Sequence, residues 1–317
     1  MSTTPAGGNV TRTIQRILVA VDTSPESARA VAYVCHLALP GARIRIVSVA
    51  ENPRVLLPLG SKTDAELQLA RAELAHDADE AVAHAGKIFA DAGIDVESGI
   101  TAISREGGYT ANALIDAAAE WKADLLVMGA RQHHGMLRWV EGTVSEYVTT
   151  EAPCSILVVP ASYEAEIRTS PRRILFALDG SAASLDALHF GLQLATPKSR
   201  LRAIYVIDRA VRLTDIVPIS VLEQAFVEEG KVILEAAATV FAEFPNRAET
   251  EAVETAPSRD DVAHAIVRDA QQWRADLIVV GTHGRRGIAR WFLGSVAART
   301  ARLAGTPLLL ARPRPEE

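Results

Sequence analysis

The chain has 317 residues, of which 49% are hydrophobic, 23% charged and 5% aromatic. This balance is typical of a folded globular protein and excludes a disordered or fibrous chain, while the length favours two domains of about 150 residues. The 33 basic and 39 acidic residues give a net charge of −6, so no overall positive field attracts a nucleic acid or an anionic membrane.

The first half of the chain alternates short apolar runs with helical patterns. The runs predict strands near 16–22, 42–50, 95–103, 123–129 and 155–160. The first run is continuously apolar, as a parallel strand buried on both faces requires. Between the second and third runs, apolar residues recur at steps of three or four, which predicts a long helix. Its apolar face consists of Leu67, Ala70, Leu74, Ala78, Ala81, Ala85 and Ile88.

The second half repeats the first. The segment ILVAVDTS at 17–24 returns as ILFALDGS at 174–181, and WKADLLVMG at 121–129 returns as WRADLIVVG at 273–281. Copies of this length indicate a duplicated domain, since solenoid units have periods of roughly 20–50 residues. The second set of strands is predicted near 172–179, 200–207, 249–255, 275–281 and 307–312. The run at 249–255 has the weakest pattern because it contains three glutamates.

These patterns define a domain organisation. A polar stretch at 161–171 separates the copies and is predicted to be a linker. We therefore expect a flexible tail over 1–13, domain 1 over 14–160 and domain 2 over 172–317. The alternation of strands and helices predicts an α/β fold in each domain, with a parallel sheet, right-handed crossovers and helices on both faces.

Ligands of open parallel sheets bind beyond the carboxyl ends of the strands. After the fourth strand of the second copy, the loop contains Gly281, Gly284, Gly294 and Ser295 in the spacing Gly-x2-Gly-x9-Gly-Ser, just before a helical stretch. The first two glycines allow positive φ and close backbone approach. A helix N-terminus offers unpaired N–H groups and the positive end of a dipole. The spacing therefore predicts a site for phosphate oxygens.

Each of these features also has a simpler explanation. In that explanation, the glycines only allow the chain to turn, and Ser295 is a helix N-cap and not a ligand contact. An acid follows the first strand of each copy, Asp22 and Asp179, and Asp179 caps the next helix through Ser181 or Ser184. Only the combination is specific to a binding site.

With this combination, the chain resembles a tandem member of the universal stress protein family over nearly its whole length. The resemblance is carried by the complete glycine motif of domain 2, the acid after the first strand, the second strand ending in YVID at 205–208 and the closing PLLL at 307–310. It implies two doubly wound domains, each with a five-stranded parallel sheet in the order 3-2-1-4-5. It also implies a pseudo-dimer in which Ser155–Val159 pairs antiparallel with Leu308–Arg312.

The same resemblance implies that ATP or another adenine nucleotide lies between the first and fourth strands of domain 2. Asp179 would contact the ribose or adenine, the backbone of Val206 the adenine edge, and the glycines and Ser295 the phosphates. Mg²⁺ would accompany a triphosphate. No catalytic residue and no metal-ligating set is predicted. The expected site consists of Ala177, Asp179, Val206, Val280, Gly281, Gly284, Gly294, Ser295 and Val296.

Domain 1 departs from the motif at one glycine. Gln132 stands at the position of Gly284, and Glu141 replaces the apolar Leu293 and adds negative charge. We expect a weakened or empty site, while a site retained with Gly135 absorbing the turn stays open as the alternative. The corresponding residues of domain 1 are Asp22, Val49, Gly129, Gly142 and Thr143.

Charged loop residues have two interpretations. Arg285, Arg286 and Arg290 either form a solvated basic loop or bind the triphosphate. His283 lies either beside the phosphates or in solvent.

Three functions are compatible with these features. The first, to which the resemblance points, is a nucleotide-binding stress-response protein that acts on a protein partner. The second is a slow ATP hydrolase or phosphotransferase, although the chain lacks a Walker loop and an evident base other than His283. The third is a nucleotide-free interaction module. Association of two chains into a homodimer is also compatible with the sequence.

The cellular compartment and the redox state of the cysteines are predicted from features that the sequence lacks. Its two cysteines, Cys35 and Cys154, are too few for a disulfide scaffold or a Cys-rich metal site. No apolar run approaches the roughly 20 residues that cross a bilayer. The first residues lack the apolar core of a secretory signal. We expect a cytoplasmic protein without membrane or nucleic-acid partners.

Overall fold

The computed structural model describes residues 13–37, 39–53, 64–102, 109–130, 144–163, 170–209, 219–256, 260–284 and 293–313. The elements of the first half are β1 (Arg16–Ala20), α1 (Pro25–Cys35), β2 (Arg43–Ala50), α2 (Asp64–Asp91), β3 (Val96–Ala102), α3 (Thr110–Glu120), β4 (Leu125–Ala130), α4 (Val144–Glu151) and β5 (Ser155–Pro160). Those of the second half are β6 (Arg173–Leu178), α5 (Ala182–Leu192), β7 (Arg200–Ile207), α6 (Ile219–Phe241), β8 (Arg247–Glu254), α7 (Val262–Trp273), β9 (Leu277–Gly281), α8 (Ser295–Leu303) and β10 (Leu308–Ala311).

The strands form a single sheet in the order β3-β2-β1-β4-β5-β10-β9-β6-β7-β8. Within each half, neighbouring strands are parallel, and the first strand lies between the second and the fourth. Each half therefore has the order 3-2-1-4-5, and the α/β fold with two tandem domains is confirmed.

The last strands of the two domains join the halves. Strands β5 and β10 pair antiparallel, with Leu309 opposite Leu157 at the centre of the ladder. This is the pairing that the resemblance implies. All six residues of β5 and all four of β10 are buried, because these strands lie in the middle of the sheet. Pairing removes two edges that otherwise attract other strands.

Apolar side chains cover both faces of the sheet. Alternate residues of β1 point to opposite faces, so Ile17 and Val19 belong to one apolar cluster and Leu18 to the other. All three are almost fully buried, as predicted for a parallel strand between two helical layers.

The long helix α2 follows its predicted face only in part. Ala78, Ala81 and Ala85 are buried, but the face is only half-buried toward the start of the helix. The largest buried side chain of this helix is Phe89, one position beyond the predicted Ile88. Burial is therefore concentrated in the C-terminal half, where α2 packs on β2 and β3.

The weakest predicted strand is real and lies at the edge of the sheet. Strand β8 pairs with β7, and most of its residues are exposed. Its glutamates are tolerated there because Arg202 of β7 pairs with Glu249 at 3.1 Å and also with Glu251. Charges on an edge strand also disfavour pairing with a second chain.

Both cysteines and two tryptophans serve packing. Cys154 is buried, and Cys35 is half-buried against the core; neither takes part in a disulfide. Trp121 is buried, and Trp273 packs against the same apolar cluster on this face of the sheet. Among the described helices, none is long and apolar enough to cross a membrane.

Candidate functional site

A cavity of about 680 Å³ opens at the carboxyl ends of β6, β7 and β9. The chain runs from β6 to β7 on one side and returns to β9 on the other, so this is the switch point at which open parallel sheets bind ligands. All nine residues predicted for domain 2 line the cavity, namely Ala177, Asp179, Val206, Val280, Gly281, Gly284, Gly294, Ser295 and Val296. The structure thus brings the predicted set together, and their role in binding stays a prediction.

Each oxygen of the Asp179 carboxylate has a different neighbour. Its Oδ1 accepts hydrogen bonds from the Ser181 backbone N–H at 3.0 Å and from the Ser181 hydroxyl at 2.6 Å. Ser181 is the N-cap of α5 and accepts from the backbone N–H of Ser184 at 3.2 Å. The helix-capping role is therefore real and runs through Ser181. The second oxygen, Oδ2, lies against the backbone of Gly284 in the cavity wall.

The first two glycines of the motif lie close to other parts of domain 2. Neither Gly281 nor Gly284 lies in the left-handed region, so the positive φ that glycine allows is not used at either position. A Cβ on Gly281 would lie 3.0 Å from the Ala183 carbonyl oxygen, and one on Gly284 would lie 2.8 Å from Asp179 Oδ2. A side chain at residue 281 would therefore press on the backbone of Ala183, and one at residue 284 would require the Asp179 carboxylate to shift.

The helix after the loop begins one residue earlier than predicted. Helix α8 starts at Ser295, and its N-cap is Gly294, so the expectation of Ser295 as the N-cap is wrong. The Gly294 N–H donates to the Thr282 carbonyl at 2.7 Å, which ties the helix start to the end of β9. A glycine cap has no side chain to accept from the first N–H groups, and the first residues of α8 line the cavity.

The sequence did not predict that α7 and α8 form one wall of the cavity. Asp261 is the N-cap of α7, where its Oδ1 accepts from the His264 backbone N–H at 3.0 Å. Its Oδ2 pairs with Arg299 Nε of α8 at 2.7 Å, and both residues line the cavity. Burial raises the pKa of Asp261, but the hydrogen bonds from His264 and the charge of Arg299 outweigh it and leave the pKa below the usual range. An Asp directly before an apolar helical pattern was the available signal.

Further residues that line the cavity were also not predicted from the sequence. They come from the end of β7, from α6 and from the first turns of α7, and include Tyr205, Asp208, Phe226, Val262, Ala263 and Ile266. His283 lines the cavity as well, with its Nδ1 2.9 Å from the Thr282 hydroxyl. The described residues contain no cluster of three or more His, Cys, Asp or Glu side chains suited to a metal ion.

Domain 1 repeats the acid and its cap. Asp22 Oδ1 accepts from the Ser24 backbone N–H at 2.9 Å, and Ser24 caps α1 by accepting from the Ser27 N–H at 3.2 Å. Val49 is half-buried near the end of β2. A Cβ on Gly129 would lie 2.5 Å from the Glu26 carbonyl oxygen, closer than at Gly281.

The remaining predicted loop residues lie outside the described part of the chain. In domain 1 these are Gln132, Gly135, Glu141, Gly142 and Thr143, and in domain 2 they are Arg285, Arg286 and Arg290. Their roles stay predictions.

Comparison with known proteins identifies relatives over most of the chain. The profile of the universal stress protein family matches residues 13–160 and again residues 171–312. A universal stress protein of Mycolicibacterium smegmatis is 31% identical over 305 residues, which cover 94% of this chain and 97% of that protein. A universal stress protein of Methanocaldococcus jannaschii is 33% identical over 144 residues, 44% of this chain and 82% of its own.

A solved structure shares the fold. The crystal structure of a universal stress protein from Archaeoglobus fulgidus superposes with a TM-score of 0.66 at 18% sequence identity, and the match covers 95% of this chain and 99% of that one. At this identity the likeness concerns the fold alone.

Proposed function

Because the chain belongs to the universal stress protein family, we propose that domain 2 binds an adenine nucleotide, with ATP as the first candidate. The observation that carries the proposal is the cavity of about 680 Å³, which all nine predicted residues line. Its volume lies within the roughly 300–1,000 Å³ typical of small-molecule sites. The matched segments also support the proposed domain boundaries at 14–160 and 172–317.

The two ends of the cavity suit different parts of a nucleotide. At one end, Gly284, Gly294 and Ser295 present backbone at the start of α8, where N–H groups and the helix dipole favour phosphate oxygens. At the other end, Val206 and Ile266 offer apolar surface for a base. We place the ribose near Asp179, whose carboxylate accepts hydrogen bonds from hydroxyl groups.

Charge in the cavity favours a cation beside the nucleotide. Asp179, Asp208 and Asp261 line it together with Arg299. A triphosphate adds further negative charge, so we propose that Mg²⁺ enters with it as the ion of the ligand. The loop arginines of domain 2 are the second proposed source of positive charge.

We propose a regulatory or protective role in the cytoplasm, exerted through a protein partner. Hydrolysis requires a base that positions the attacking water. Among the described cavity residues, two of the candidate bases, Asp179 and Asp261, are engaged by Ser181 and Arg299. Turnover, if it occurs, should therefore be slow. Two cysteines outside any disulfide fit a reducing compartment.

The decisive experiment identifies the bound compound. The purified chain is denatured, and the released small molecules are analysed by mass spectrometry, followed by calorimetric titration with ATP, ADP and AMP. We expect an adenine nucleotide in the released fraction and one binding event that Gly284→Val removes. Absence of both would refute nucleotide binding and favour the interaction module. Steady-state phosphate release would support the hydrolase instead.

A further inference from the structure

The two outer strands of the sheet, β3 and β8, hold equivalent places in their domains but carry different charges. Their ladders with β2 and β7 align the two strands residue by residue. Two exposed acids of β8, Glu251 and Glu254, correspond in this alignment to Gly99 and Ala102 of β3. Charges on an edge strand oppose its pairing with a further strand. The edge of domain 1 therefore lacks two of the charges that protect the edge of domain 2.

The single charged residue of β3 is engaged by its own domain. The Glu97 carboxylate pairs with Arg45 at 2.7 Å and also with Arg43, and both arginines belong to β2. Ile100 is 41% exposed, and a Cβ built on Gly99 meets nothing within 4 Å. Among the described strands, β3 has a neighbour on one side only. Its outer row of backbone groups is thus open to a further strand.

The helix that covers this edge differs from its counterpart in the same way. Phe89 of α2 and Phe241 of α6 are both buried and lie 152 residues apart, which aligns the two helices. The exposed Glu235 of α6 then corresponds to the exposed Ala83 of α2. In a right-handed crossover, Ala83 lies on the flank of α2 that points past β3. This flank also includes Ala72, Asp79 and Ala90.

We propose that β3 pairs antiparallel with β3 of a second copy of the chain, about a twofold axis at Gly99. Gly99 is the middle residue of the seven in β3, so this register uses the whole strand. Residue 97 of one copy then faces residue 101 of the other. The two Glu97 residues stand four positions apart along the strands, which is about 14 Å. Salt screens repulsion between carboxylates at this distance.

The same register brings the α2 helices of the two copies side by side. Helix α2 packs on both β2 and β3, so its axis lies between these strands. With strands about 4.8 Å apart, the two helix axes are then roughly 10 Å apart, which is a typical distance for packed helices. Small side chains such as Ala83 permit this approach, whereas a glutamate at that position opposes it. The strand ladder and the helix pair therefore form one continuous interface.

Strand β8 of another chain is a less suitable partner for β3. That pairing brings Glu97 toward Glu251 and Glu254, so like charges meet across the new ladder. It also leaves one free β3 and one free β8 at the ends of every assembly, and chains add without limit. Pairing of two identical edges about a twofold axis closes the assembly at two copies.

The test measures the mass of the full chain by sedimentation equilibrium over a range of protein concentrations. We expect the parent chain to form dimers at micromolar concentration. Gly99→Glu places two carboxylates opposite each other at the axis, and Ala83→Glu adds charge between the helices. Each variant should raise the dimer dissociation constant about tenfold or more. Ala238→Glu puts the same charge on the exposed surface of α6 and should leave the constant unchanged.

Cross-linking locates the axis. In Gly99→Cys, the two new thiols lie opposite each other, so a short bifunctional thiol reagent should join residue 99 of one chain to residue 99 of the other. Glu251→Cys on β8 is the control and should give no such link. Mass spectrometry of the linked peptides identifies the residues that are joined. If circular dichroism shows that a glutamate variant does not fold, the cross-link decides.

Three results would overturn the proposal. The first is a parent chain that stays monomeric up to millimolar concentration. The second is a dimer that persists in both glutamate variants or that gives no link between the two residues 99. The third is a series of masses beyond the dimer, which would indicate pairing of β3 with β8.

Discussion

The Asp179 carboxylate lies against the backbone of Gly284, so closely that a Cβ at residue 284 would be 2.8 Å from Asp179 Oδ2. The other carboxylate oxygen is held by Ser181 at 2.6 Å. The acid after β6 and the loop after β9 therefore meet, and a side chain at residue 284 would require the Asp179 carboxylate to shift.

Substitution of Gly284 tests this contact. In Gly284→Ala, the new methyl group displaces the Asp179 carboxylate, and we expect adenine-nucleotide affinity to fall by about tenfold, the loss of one charged hydrogen bond. Gly284→Val should abolish binding, measured by calorimetry, with an unchanged helical circular dichroism spectrum. Gly86→Ala is the matched control, because a Cβ there meets nothing within 4 Å. Undiminished affinity in Gly284→Val would contradict the assignment of the loop.

Asp179 should contribute to binding beyond its capping role. Asp179→Ala removes the acceptor for the ligand, and we expect a loss of about 1.5–3 kcal/mol in binding free energy. Ser181→Ala separates the two roles, because it removes the N-cap of α5 and leaves the carboxylate in place. That variant should lose about 1 kcal/mol of stability and keep most of its affinity. Equal dissociation constants for Asp179→Ala and the parent chain would remove the proposed ligand contact.

The sequence predicts the strands well because their signal is local. Buried parallel strands such as β1 need continuous apolar runs, and the repeat doubles the evidence for each. The predicted site residues come together because each follows a strand at the same edge of the sheet. The Asp261–Arg299 pair was not predicted, since it joins two helices whose packing no local pattern specifies. For Gly284, the sequence indicates that glycine is needed, but only the fold reveals that its neighbour is the Asp179 carboxylate.

Gly129 and Gly281 should differ in their tolerance of a side chain. A Cβ at Gly129 would lie 2.5 Å from the Glu26 carbonyl oxygen, and one at Gly281 would lie 3.0 Å from that of Ala183. Both neighbours are backbone at the start of a helix, so relief requires movement of α1 for Gly129 and of α5 for Gly281. Overpacking typically costs about 1–3 kcal/mol. We expect Gly129→Ala to lower the free energy of unfolding more than Gly281→Ala, measured by urea denaturation. The reverse order would contradict the geometry of these two contacts.

The Asp261–Arg299 pair should make stability depend on pH in the acid range. The folded-state pKa of Asp261 is lowered, with burial opposed by the hydrogen bonds from His264 and the charge of Arg299. A lowered folded pKa contributes stability that is present above the unfolded value of about 3.9 and is lost as pH falls through the folded pKa. Because both side chains are more than one-third exposed, we expect Asp261→Asn to cost at most about 1 kcal/mol at pH 7.

The same variant provides the pH test. Asn retains the ability to cap α7, so the difference between the parent chain and Asp261→Asn reports the charge. Denaturation at pH 7, 5 and 3 should show the difference shrinking below about pH 4. A difference that is the same at pH 3 and pH 7 would rule out the ionised pair as its cause.

Arg312 should hold the two domains together more strongly than Arg302 does. From the end of β10, the Arg312 guanidinium donates to the carbonyls of Thr149 and Thr150 in the last turn of α4, across the boundary between the domains. Arg302 of α8 also crosses this boundary, where it pairs with Glu146. Burial lowers the pKa of the Arg312 guanidinium.

Replacing each arginine with methionine compares these contacts at similar side-chain length. Arg312→Met leaves helix carbonyls without a donor, and we expect a loss of about 1.5–3 kcal/mol in the free energy of unfolding. Arg302→Met removes a partly exposed ion pair and should cost about 1 kcal/mol or less. Chemical denaturation of both variants checks the order. A larger loss in Arg302→Met would mean that the ion pair between α4 and α8 stabilises the contact between the domains more than the hydrogen bonds from Arg312 to α4 do.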